Sequence, residues 1–123
     1  MALFSDLKLN PKILNAIEDV GYKEPTPIQV QAIPAALEGR DVLGIAQTGT
    51  GKTAAFGFPM LQKIDVNSRT TQGLILSPTR ELCLQITNEM KLYGKYLNGL
   101  NVTAIYGGSS ITEQARQVKR GAQ

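Results

Sequence analysis

Histidine is absent from all 123 residues, and cysteine occurs once, at Cys83. Without histidine there is no imidazole general base, and a Cys/His zinc site cannot be assembled. A single cysteine closes no internal disulfide, which fits a reducing compartment, so the chain reads as cytoplasmic. No apolar run is long enough to span a bilayer, and no membrane partner is expected. The start, Met1-Ala2-Leu3-Phe4-Ser5-Asp6, has neither a basic nor an apolar leader region, so no signal peptide is read there. Internal repeats and low-complexity stretches are missing as well.

What is present fits one small globular domain or part of a larger one. Hydrophobic residues make up 42% of the chain, enough for a core. A net charge of +3 permits a polyanion partner without requiring one. Asn10-Pro11 reads as a helix start and Gly21 as its end, with Ile13, Leu14, Ile17 and Val20 on one face. Thr26-Pro27 opens a second helix, carrying Ile28, Val30 and Ile33. Pro34 is expected to interrupt it, and Gly39 to end the following turn. Asp41-Val42-Leu43-Gly44-Ile45 reads as a strand, followed by a glycine-rich turn and a helix to about Lys63. Residues 65–71 are polar and read as an exposed loop. Gly73-Leu74-Ile75-Leu76-Ser77 is a continuous apolar run, as in a strand covered on both faces. Leu82, Ile86, Met90, Tyr93 and Leu97 recur at helical spacing. Asn101 to Tyr106 is a third strand candidate, and Ser110 to Arg120 an amphipathic helix. Strands alternating with helices predict a parallel, layered α/β sheet.

Ala46-Gln47-Thr48-Gly49-Thr50-Gly51-Lys52-Thr53 joins the first strand to its helix. Gly49 and Gly51 allow a tight curl whose N–H groups bind phosphate oxygens. The helix behind points its positive end at the same phosphates. Lys52 reaches the β/γ-phosphates, and Thr53 is a magnesium ligand. The general pattern has glycine where Ala46 stands. A helix-capping turn that merely contains Gly-Lys-Thr is the bland alternative.

Four signatures, in order, resemble the DEAD-box ATP-dependent RNA helicases. The Q motif matches Gly21-Tyr22-Lys23-Glu24-Pro25-Thr26-Pro27-Ile28-Gln29, with the isolated aromatic Phe4 lying 17 residues before Gly21. The family's phosphate loop, A-x-T-G-x-G-K-T, matches residues 46–53 and accounts for Ala46. Motif Ia matches Pro78-Thr79-Arg80-Glu81-Leu82, and the GG motif matches Gly107-Gly108. The resemblance covers essentially the whole chain. It implies a P-loop NTPase of RecA-like type, a parallel sheet flanked by helices, here truncated. Residues 1–40 would be the Q-motif helical region, and 41–123 the first part of the first RecA-like domain.

The resemblance implies ATP or ADP with Mg2+ as cofactors. Tyr22, Gln29, Thr48, Gly49, Thr50, Gly51, Lys52 and Thr53 would hold the nucleotide, with Thr53 on the metal. A glutamine amide can pair with the adenine N6 and N7 and rejects guanine. The alternatives for Gln29 are a surface glutamine or the third residue of a capping box begun by Thr26. Tyr22 is the better candidate to stack on the base, with Phe4 behind it; core packing is the alternative for both. Pro78, Thr79, Arg80, Gly107 and Gly108 would contact an RNA backbone without reading bases. Against that, Arg80 could be a solvated charge or pair with Glu81, and the two glycines an ordinary loop. Lys119-Arg120 reads as a solvated helix end. A kinase or GTPase of the same loop type is disfavoured by the Q motif.

The sequence D-E-A-D does not occur, nor do S-A-T, T-P-G-R or a second RecA-like domain with its arginine fingers. In the family the aspartate completes magnesium binding and the glutamate activates water. No catalytic residue is therefore expected in this chain, and alone it should be inactive. The parent is read as an ATP-driven RNA-unwinding enzyme, with a non-catalytic nucleotide- or RNA-binding module as the other reading. Strands that should lie beside the phosphate-loop strand are missing. That predicts a gap or bare edge, and with it marginal folding as a monomer, self-association, or dependence on the missing C-terminal half of the core.

Overall fold

Asn10 opens the first long helix by accepting the Ile13 N–H on its side-chain oxygen at 3.0 Å. Pro11 follows in the first turn, where its missing N–H costs nothing. The structure, a computed structural model, describes residues 2–123; Met1, part of the start read above, lies outside them. A short 3-10 helix, Phe4–Leu7, comes first, then α1, Pro11–Asp19. Gly21 takes a φ of 83° just past its end, the left-handed turn that glycine adopts freely.

The second helix, α2, is Pro27–Leu37 and does not break at Pro34. The expected interruption is thus corrected. Proline removes one N–H from the ladder, but Ala32 and Ile33 are buried in a long contact with α3. Packing on that neighbour outweighs the local defect. α3, Lys52–Lys63, likewise carries Pro59 inside it. α4, Arg80–Tyr93, stops at Gly94, so Leu97 falls beyond it yet still packs on the core. α5, Ile111–Arg120, begins where the Ser110 hydroxyl accepts the Glu113 N–H at 3.2 Å.

Helices α1 to α4 share one core, centred on Ile13, Ile33, Phe58, Leu61 and Met90. α3 and α4 approach closely because Gly57 has no side chain. A Cβ there would lie 2.8 Å from the Met90 sulfur.

The sheet is where sequence and structure part. Among the described residues no strand ladder joins Asp41–Ile45, Gly73–Ser77 and Asn101–Tyr106. Leu43 is 90% exposed, Ile45 89% and Leu76 85%. Gly73–Ser77, read as covered on both faces, packs only Ile75 against the core and leaves Leu74 and Leu76 outside. A strand exists through its hydrogen-bonded neighbours, and these segments have none beside them. The nearest thing to a ladder comes from the C-terminal tripeptide. The Gln123 carbonyl accepts from Gln72 N at 2.7 Å and Gly73 N at 2.9 Å, and its side-chain oxygen accepts from Asn101 N at 2.8 Å. An apolar cleft of about 480 Å3, lined by Met60, Ile75, Ile86, Met90, Val102 and Val118, opens beside it. No helix among the described residues is long and apolar enough to cross a membrane.

Candidate functional site

The glycine-rich turn folds as its sequence dictates. Gly49 and Gly51 take φ values of 80° and 81°, which glycine adopts freely and other residues rarely do. The Thr50 hydroxyl donates to the Gln47 carbonyl at 2.6 Å and closes the turn. Thr48, Gly49 and Thr50 form the bend, and Gly51 caps α3 directly before Lys52. Nothing lies within 4 Å of where a Gly49 Cβ would be, so that side of the turn is open. Lys52 is exposed and Thr53 half-buried. Among the described residues no ion pair holds the Lys52 ammonium.

Gln29 is 2% exposed, so the surface-glutamine reading is corrected. Its Oε1 accepts the Thr26 N–H at 3.0 Å, as a capping-box residue does. Its Nε2 donates to the Gly51 carbonyl at 3.1 Å. One amide thus fastens the N-terminus of α2 to the phosphate loop. A Cβ on Gly51 would run into that amide nitrogen, so glycine is needed there for contact as well as for φ. The Thr26 hydroxyl is sealed from solvent beside Gly51 and has no hydrogen-bond partner among the described residues.

Tyr22 is 41% exposed, and its hydroxyl meets the Tyr93 hydroxyl at 3.1 Å. Phe4, in contrast, is buried and packs edge-on against Phe58 at 6.0 Å. For Phe4, core packing is what the structure shows.

The second group of residues sits at the start of α4. Thr79 caps that helix, its hydroxyl accepting the Leu82 N–H at 3.1 Å. Pro78, Thr79 and Arg80 are all exposed. Arg80 does not pair with Glu81; its guanidinium lies 5.0 Å over the Tyr106 ring. Gly108, at φ 85°, is close enough that a Cβ would meet Arg80 Nη1 at 3.6 Å. The structure thus brings Arg80 and the Gly107-Gly108 turn together across Tyr106. Sequence reasoning missed Tyr106, although an aromatic directly before paired glycines was its signal. Gln114 of α5 fixes it, accepting from Tyr106 N at 3.2 Å and donating to its carbonyl at 3.0 Å.

The cradle fits a nucleotide. Two left-handed glycines, a helix N-terminus, an unpaired ammonium and an orphaned hydroxyl converge on one turn. No group of three or more His, Cys, Asp or Glu side chains placed to hold a metal occurs among the described residues.

The sequence model of the DEAD/DEAH box helicase family matches residues 26–123. An ATP-dependent RNA helicase DeaD of Mycobacterium tuberculosis is 57% identical over 122 residues, 99% of this chain and 22% of its own length. The crystal structure of the RNA helicase Prp28 from Chaetomium thermophilum, bound to ADP, superposes with a TM-score of 0.86 at 45% identity. That match covers 99% of this chain and 31% of that one. A DEAD box protein from the hyperthermophile Methanococcus jannaschii superposes at 0.92 with 36% identity, over 98% of this chain and 33% of its own. The chain therefore spans about a fifth of the length of the curated relatives it matches. Its motifs, its superposition on helicase domains and the family match over most of its length agree, and the chain belongs to the DEAD/DEAH box helicase family, corresponding to the N-terminal part of DEAD-box RNA helicases.

Proposed function

We propose that this chain is the nucleotide-holding and RNA-gripping front part of an ATP-dependent RNA helicase that unwinds RNA or remodels RNA–protein complexes. Residues 1–40 bring the adenine-reading groups to residues 41–123, which carry the phosphate loop and the RNA contacts. Gln29 reads the adenine edge and Tyr22 stacks on the base. Thr48, Gly49, Thr50 and Gly51 offer backbone N–H groups to the phosphates, with Lys52 on the β/γ positions. Thr53 would hold Mg2+, whose charge neutralises the phosphates when it is bound. Pro78, Thr79, Arg80, Gly107 and Gly108 hold an RNA backbone without reading its sequence. We assign no catalytic residue within this chain. The three unladdered segments join a parallel sheet in the helicase core, with strands contributed by the remainder of that core. By itself the chain associates through these segments, and the protein works in the cytoplasm.

One observation carries the adenine reading: the buried Gln29 amide that joins Thr26 to Gly51. A glutamine amide has two N–H donors and two lone pairs on its oxygen. Here each end uses one, which leaves one donor and one acceptor for a base edge. No observation favours a purely non-catalytic binding module. The test is displacement of labelled ADP by ADP and by GDP, for wild type and Gln29→Ala. Wild type should prefer ADP, and Gln29→Ala should lose about 1–3 kcal/mol of that preference. Equal competition by ADP and GDP in wild type would sink the reading.

A further inference from the structure

The exposed Tyr22 ring is tethered at its tip to the core. Its hydroxyl partner, Tyr93, is the last residue of α4 and only 3% exposed. The two rings are tilted by 56° with centroids 6.2 Å apart. Behind Tyr93 lies Phe58 of α3, in an edge contact at 4.8 Å and 70°. Phe58 belongs to the helix that starts at Lys52, so the tether runs from Tyr22 through Tyr93 to the phosphate-loop helix. A Cβ on Gly57 would collide with the Met90 sulfur at 2.8 Å and make only ordinary contact, 3.7 Å, with the Tyr93 ring.

A buried phenol needs a hydrogen-bond partner, and the Tyr22 hydroxyl supplies it. Burial, and then the bond to Tyr22, pushes the Tyr93 phenol far above its ordinary pKa. It therefore remains protonated at any working pH.

We infer that Tyr93 is a positioning residue for base recognition, its hydroxyl setting the angle at which the Tyr22 ring meets a purine. This rests on the reading of Tyr22 as the base-stacking residue. A surface aromatic held only at its Cβ samples several rotamers, and ligand binding must then select one of them. A bond at the ring tip makes that selection beforehand, so less affinity is lost on ordering. A merely structural Tyr93 would act differently. Its loss would loosen the α3–α4 contact and weaken phosphate binding and base binding together.

The test uses this chain with two competing probes: ADP, which has a base, and inorganic tripolyphosphate, which does not. Tyr93→Phe keeps the ring and removes the buried hydroxyl. Tyr22→Phe removes the same bond from the exposed side, keeping both rings in place while leaving the Tyr93 hydroxyl unpaired. Each should weaken ADP about threefold to tenfold, the worth of one neutral hydrogen bond. Tripolyphosphate affinity should not move. The double variant should be no worse than either single one, because both remove one interaction. Tyr22→Ala, which loses the ring, should weaken ADP further. Equal losses for ADP and tripolyphosphate would overturn the positioning role. So would unchanged ADP affinity in both Phe variants while Tyr22→Ala weakens it; the stacking role would then survive alone. Unchanged ADP affinity in Tyr22→Ala, or no ADP binding at all, would overturn both. If Tyr93→Phe does not fold, Tyr22→Phe decides the matter by itself, since it removes the same bond.

Discussion

Helices α1 to α4 and the segments 41–45, 73–77 and 101–106 carry similar apolar side chains, but the segments fully bury none of theirs and pack only a few, such as Ile75 and Val102, against the core. Ile13, Ile33 and Phe58 are wholly buried, whereas Leu43, Ile45 and Leu76 face outward almost completely. The difference lies in where each element satisfies its backbone. A helix bonds its own carbonyls and needs only one apolar neighbour to settle against. A strand borrows its partners from elsewhere in the chain or from another chain. The helices satisfy their own backbones, and the segments 41–45, 73–77 and 101–106 form no ladder among the described residues.

Phe58→Ala should give the largest effect, because it empties the centre of the helical region. Deleting a buried phenylalanine side chain typically costs about 3–5 kcal/mol. That approaches the whole stability of an ordinary small domain, about 5–15 kcal/mol. Urea unfolding followed by circular dichroism would show it. A loss below about 1 kcal/mol would mean that the helical region is not where stability resides.

The complementary change is Leu43→Asp together with Leu76→Asp, in the unladdered region. Folding stability should stay within roughly 0.5 kcal/mol of wild type, as for other exposed sites. Light scattering should show less association, because charge on an unpaired edge discourages pairing with another chain. Unfolding of this double variant would erase the contrast between the two regions.

Much of the helical region is legible in the sequence. Asn10-Pro11, Thr26-Pro27 and Ser110 mark helix starts through local chemistry, a few residues at a time. The continuation of α2 through Pro34 is not, since it depends on contact with α3. The glycine-rich turn is equally local and forms as read. The segments 41–45 and 73–77 have strand composition, but composition cannot supply a neighbour. Within the candidate site, Gln29 shows both kinds of information. Its capping role follows from its distance to Thr26. Its bond to Gly51 spans 22 positions and appears only in three dimensions. Tyr106 was missed for the same reason, since its contact with Arg80 joins distant positions.

The smallest expected effect lies on the surface where α1 meets the turn after α4. Asp19 pairs with Lys95 at 2.6 Å and also accepts from the Tyr96 hydroxyl. The Lys95 bond, then the Tyr96 bond, holds the Asp19 carboxyl below its ordinary pKa. A depressed folded-state pKa stabilises above the unfolded value, and that contribution fades as pH falls through the folded one. Asp19→Asn should therefore lower the melting temperature slightly at neutral pH, with the difference fading as pH falls below the ordinary carboxylate range. A pH-independent difference would point to lost packing rather than lost charge.

Helix α4 has one more consequence. Its 14 residues span roughly 20 Å from Arg80 to Tyr93. At one end Arg80 leans on a tyrosine clamped by Gln114, and at the other a phenol touches Tyr22. A rod of that kind neither stretches nor compresses appreciably. Its two ends are therefore held at a fixed separation, one against Tyr106 and the other against Tyr22.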